Sequence, residues 1–126
     1  MKSRAGFTLI ELIVVLTIVS LLLSIAAPHY FQSVQRSKES ALKQNLATLR
    51  DAIDKFYGDQ GKYPEALADL TAKRYLRTLP SDPLTQSVET WVTLAPPADA
   101  SLPGKVYDVR SGAEGKAADG TAYSEW

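Results

Sequence analysis

Residues 7–27 read FTLIELIVVLTIVSLLLSIAA, twenty-one positions that carry one charge, Glu11. Wound as a helix at about 1.5 Å per residue they reach roughly 31 Å, close to the hydrocarbon thickness of a bilayer. Such a segment spans a membrane. Lys2 and Arg4 are the only charges before it, and basic residues at the short end keep that end cytoplasmic. The remainder of the chain is expected on the outer side.

Two ordinary readings compete for this block. One is a secretory signal, with Ser24 and Ala26 as the small residues ahead of a cut after Ala26. The other is a plain membrane anchor. Neither gives Glu11 a role, although an acid in an apolar run costs on the order of 2.5 to 3.5 kcal/mol on insertion scales. A cut after Gly6 supplies one. Phe7 then becomes the terminus, and its ammonium group lies four residues from Glu11 on the same helical face. Pairing with the glutamate of a neighbouring copy would turn a buried charge into an assembly signal.

The string RAGFTLIEL followed by a long apolar helix resembles the class III signal of type IV pilins and type II secretion pseudopilins. The resemblance implies a leader of residues 1–6, a prepilin peptidase that cuts between Gly6 and Phe7, N-methylation of Phe7, and a docking role for Glu11. It divides the chain into the leader 1–6, a transmembrane and filament-core half-helix 7–29, and a periplasmic pilin-like globular domain 30–126.

The rest of the composition narrows the function. The 126 residues hold 14 Lys plus Arg against 14 Asp plus Glu, so no global field attracts nucleic acid. The absence of cysteine excludes disulfides, thiolate nucleophiles and Cys-based metal sites. His29 is the single histidine, and no catalytic constellation surrounds it. The chain is read as a structural protein and not an enzyme.

Past Pro28 the apolar pattern becomes periodic. Leu42, Leu46, Leu49, Ile53 and Phe56 fall on one face of a helix, the face expected to pack on the C-terminal domain. Glu39 with Lys43, Arg50 with Asp54 and Asp51 with Lys55 are spaced four apart, as on a solvated helix surface. Pro28 has no N–H for the carbonyl of Ser24 and marks a weak point, or kink, in the helix. Gly58 and Gly61 are expected to close it.

The step Gly61-Lys62-Tyr63-Pro64 and the later Leu79, Pro80, Asp82 and Pro83 resemble the G-type major pseudopilin. Residues 65–70 suit a short helix after Pro64. Residues 90–94 and 105–110 are strand candidates rich in β-branched and aromatic residues, with Trp91, Val106 and Val109 on the core side. The expected fold is α+β: a long N-terminal helix, transmembrane then amphipathic, packed on a small antiparallel sheet with an irregular C-terminal loop.

A domain of about seventy residues without disulfides commonly needs another staple. The resemblance implies a calcium ion in the loop after Ser111, with Glu114 and Asp119 as its acidic ligands, although Glu114 stands where the family commonly has aspartate. The plainer expectation is that Tyr123 and Trp126 tuck the tail onto the sheet. The function implied is a major pseudopilin of type II secretion, stored in the inner membrane. Its implied partners are other copies in a helical homopolymer, prepilin peptidase, minor pseudopilins and the inner-membrane assembly platform. The alternatives are a type IV pilin or minor pilin for adhesion, motility or DNA uptake, and a secreted monomeric binding protein.

Overall fold

A computed structural model describes residues 5–126; Lys2 and Arg4 lie outside the described residues. The elements run α1 (Leu9–Gln60), α2 (Ala68–Ala72), β1 (Val92–Leu94), β2 (Asp108–Arg110) and a final 3-10 turn, Tyr123–Glu125. Two units are distinguished, one up to Gln35 and the other from Arg36 to Trp126.

In the first unit the stretch of α1 from Leu12 to Ala27 is apolar on every side and exposed, as is Leu9 before it; Leu9, Leu21 and Ile25 keep 76%, 62% and 64% of their surface. Its hydroxyls are satisfied within the helix, because Thr17 donates to the Ile13 carbonyl (2.8 Å), Ser20 to Leu16 (2.7 Å) and Ser24 to Leu21 (2.7 Å). That back-bonding removes the main polar cost of placing them in lipid. Pro28 lies inside α1, whose helical assignment runs through it.

The second unit is built on the amphipathic part of α1. Leu42, Leu46, Leu49, Ile53 and Phe56 are buried as the periodicity requires, joined by Ala52. At the C-terminal end Gly58 is still helical, and Gly61 alone turns left-handed (φ 72°) and donates to the Tyr57 carbonyl at 2.9 Å. Closure thus belongs to Gly61, which needs no Cβ in that conformation.

β1 and β2 pair antiparallel, Val92 opposite Arg110, Thr93 opposite Val109 and Leu94 opposite Asp108. Trp91, Val106 and Val109 are buried with the helix stripe, and the Trp91 indole donates to the Pro80 carbonyl at 2.8 Å. Both strands are shorter than the sequence suggests. Lys105 and Val106 give their N–H groups to the Pro64 carbonyl, so contact with β1 begins only at Tyr107, whose N–H donates to the Leu94 carbonyl at 2.7 Å, and β2 is confined to 108–110. The short helix also begins later than expected. The Asp69 carboxylate accepts from the N–H groups of Glu65 (3.0 Å) and Ala66 (3.3 Å), holding them in a turn ahead of α2.

The loop between α2 and β1 is organised by a buried acid. Asp82, fully buried, accepts from the Leu84 N–H (2.8 Å) and from the equally buried Ser111 hydroxyl (2.5 Å). Asn45 on α1 donates to the Ser81 carbonyl at 2.9 Å, fixing the same loop to the helix. Beside Ser111, a Cβ on Gly112 would collide with the Thr90 carbonyl oxygen. Gly112→Ala is therefore expected to cost about 2 kcal/mol or more through overpacking against backbone. Urea unfolding of the detergent-solubilised chain checks this, an unchanged midpoint contradicting it.

Candidate functional site

Thr8, Phe7 and Glu11 sit at the start of α1. The Thr8 hydroxyl accepts from the Glu11 N–H at 3.1 Å, so Thr8 is the N-cap and Glu11 the third helical residue. This Thr-x-x-Glu spacing is a capping pattern that the charge-cost reading of Glu11 overlooked. Ala5, Gly6, Phe7 and Glu11 line one shallow concavity, which brings the expected cleavage position and the acid together. Phe7 is 85% exposed. Gly6 has open space where a Cβ would go and no left-handed backbone. Nothing in the fold therefore demands glycine at position 6.

The C-terminal tail is the second region marked by the sequence. Its 3-10 turn lies against β2, but its polar contacts go to α1. Glu39 accepts from the Tyr123 hydroxyl (2.8 Å) and the Ala118 N–H (3.2 Å). Lys43 places its ammonium 4.7 Å from the centre of the Trp126 ring. Arg50 reaches furthest, donating to Asp108 Oδ1 (2.9 Å), the Val109 carbonyl (2.9 Å) and the Trp126 carbonyl oxygen (2.5 Å). Glu39, Lys43 and Arg50 thus form a clasp across the tail. The local pairs expected for Glu39 and Arg50 give way to these contacts, whereas Asp51 and Lys55 do pair, at 2.9 Å.

The two expected calcium ligands, Glu114 and Asp119, both lie in the tail after Ser111. Asp119 Oδ1 accepts from the Thr121 hydroxyl (2.6 Å) and N–H (3.0 Å), and these bonds, the hydroxyl first, hold its pKa below the ordinary aspartate value. Glu114 is exposed. Among the described residues no three Asp, Glu, His or Cys side chains gather into a metal-binding group. Calcium takes six to eight oxygens as a rule, backbone carbonyls among them, so Glu114 and Asp119 would supply only part of its shell.

The comparisons with known proteins bear on the amino-terminal region first. Residues 1–27 match the prokaryotic N-terminal methylation motif. The chain is 40% identical over 60 residues to the type IV major pilin PilA of Myxococcus xanthus, covering 48% of this chain and 27% of that protein. It is 39% identical over 63 residues to the fimbrial protein EcpC of Eikenella corrodens, covering 50% and 41%. With the type II secretion system core protein G of Klebsiella pneumoniae it shares 27% identity over 99 residues, 66% of this chain and 71% of the relative. The chain thus spans well under half the length of the first two relatives. No solved structure matches.

Two outcomes test the clasp. Arg50→Met should destabilise the second unit by about 1 to 2 kcal/mol, since it strips partners from a carboxylate and two carbonyls; thermal unfolding measures it. Chelation of divalent ions should lower the melting temperature of the full chain if calcium staples the tail, and leave it unchanged if the clasp alone holds it. A rise in that temperature on adding calcium would support the calcium staple.

Proposed function

We propose that this chain, a member of the type IV pilin and type II secretion pseudopilin family by its motif and its relatives, is the major pseudopilin of a type II secretion system. The pilin-like part of that reading is carried by the start of α1: a glycine with no role in the fold, an exposed phenylalanine, and an acid sharing its concavity. Cleavage after Gly6 by a prepilin peptidase would leave the Phe7 ammonium next to Glu11. In lipid the apolar part of α1 is solvated by acyl chains, and in a filament the same surface packs on other copies. Glu11 is then matched to a neighbour's Phe7 amine.

The choice of secretion pseudopilin over type IV pilin is supported by the reach of the similarity. The alignment with protein G runs over 99 residues at 71% of the relative's length, against 60 residues and 27% for PilA. The proposed location is the inner membrane, with residues after the span in the periplasm. Prepilin peptidase, minor pseudopilins and a membrane assembly platform are the proposed partners, and the energy for extraction comes from outside the subunit. The proposed role is structural, not enzymatic.

Mass spectrometry of protein purified from its host should show a chain starting at N-methylated Phe7; a start at Ala27 would establish the secreted reading. Glu11→Ala should be cleaved normally but lose filament incorporation by tenfold or more, scored by crosslinking between copies. Deleting the gene should trap secreted proteins in the periplasm, whereas loss of surface pili with secretion intact would favour the pilus reading.

A further inference from the structure

Two large rings at the far end of the apolar stretch have no place in the core. Tyr30 and Phe31 are 66% and 69% exposed, and their rings meet edge to face with centroids 5.8 Å apart. Polar Gln32 and Ser33 follow directly. Tyr30 lies twenty-three residues beyond Phe7, about 35 Å along a helix. With Phe7 at one face of a hydrocarbon layer about 30 Å thick, the two rings arrive at the opposite face.

Pro28 points to the same boundary. It has no N–H to offer the Ser24 carbonyl, a deficit that water in the headgroup region makes good without a neighbouring helix. Ser24 is seventeen residues past Phe7, about 26 Å along the helix, within about 4 Å of the far edge of the hydrocarbon. An aromatic ring with a hydroxyl at its tip suits that zone, apolar at one end and wet at the other.

We propose that Tyr30 and Phe31 form an interfacial anchor seated in the outer headgroup boundary of the membrane, a lipid surface being their partner. The anchor sets the depth at which the unassembled subunit waits. It rests on the membrane-spanning reading above, which fixes where the boundary falls. Phe31 buries apolar area in the acyl edge, and Tyr30 presents its hydroxyl to phosphate and water.

Because the chain has no native cysteine, single spin labels report depth without background. The full chain carries Ser20→Cys or Ala27→Cys and is placed in phosphatidylcholine–phosphatidylglycerol vesicles, where accessibility to oxygen and to a water-soluble nickel chelate gives label depth. The label at position 20 should read hydrocarbon, and that at 27 should read near the boundary. Adding Tyr30→Ala with Phe31→Ala should move the label at 27 inward by about 3 Å, two residues of helical rise. Tyr30→Trp with Phe31→Trp should restore it. An unchanged depth in the alanine pair overturns the anchor while leaving the span intact. Spin–spin broadening at 27 that persists under high lipid excess would assign the rings to a second copy, and also overturns it. A label at 20 that reads aqueous defeats the spanning reading itself, and the anchor with it.

Discussion

One helix has to satisfy two kinds of surroundings, and α1 does so with different stretches of its sequence. From Leu12 to Ala27 its surface is apolar all round with its hydroxyls back-bonded to the helix, which suits lipid or the interior of a polymer and nothing aqueous. From Arg36 onward it keeps a single apolar stripe, Leu42 to Phe56, and the remaining chain folds over that stripe. With strands only three residues long, the sheet cannot stand by itself. The stripe is what the second unit folds on, and the loops are held by side chains rather than by ladders.

This explains the importance of Asp82 and Arg50. A domain with little regular structure leaves many backbone groups to be satisfied singly, and a buried polar group without a partner costs about 1 to 3 kcal/mol. Asp82 and Ser111 answer each other and two backbone N–H groups between the LPSDPLT loop and the tail. Arg50 spends its planar array of donors on one carboxylate and two carbonyls, a use that lysine's point charge would not serve as well. Here the charged side of the helix takes a stapling role that a small domain otherwise gives to disulfides.

The apolar parts of the fold were legible in the sequence because hydrophobic spacing is a local signal. The five stripe residues and the trio Trp91, Val106 and Val109 are buried as their patterns indicate. The polar contacts were not legible for the same reason in reverse. Glu39 and Arg50 have partners 84 and 58 residues away in Tyr123 and Asp108, and spacing along a helix points only to neighbours worth a few tenths of a kcal/mol. The late start of α2 has a visible cause in Asp69, a side chain able to bond the N–H groups ahead of it. Thr8 with Glu11 was visible too, as a capping spacing concealed by the apolar run around it. The tail's attachment to α1 had no sequence signal beyond its two aromatic residues.

The position of Glu11 in the first turn of α1 sharpens the case for a partner. An acid in the first turn of a helix gains about 0.3 to 1 kcal/mol from the helix dipole, and the cap itself belongs to the Thr8 hydroxyl. Placing a carboxylate among apolar groups costs on the order of 2.5 to 3.5 kcal/mol. Local contacts therefore fall short by roughly 2 kcal/mol, a deficit that any apolar side chain at position 11 would avoid. A cation close to the helix start removes it. Within the described residues that region holds the exposed side chain of Phe7 and the featureless Gly6, so the cation that cleavage would create is the amine of Phe7 itself. Supplied from an adjacent subunit, as in the filament proposed above, that amine would make the cost of Glu11 a condition of assembly, lowest when two copies meet in register.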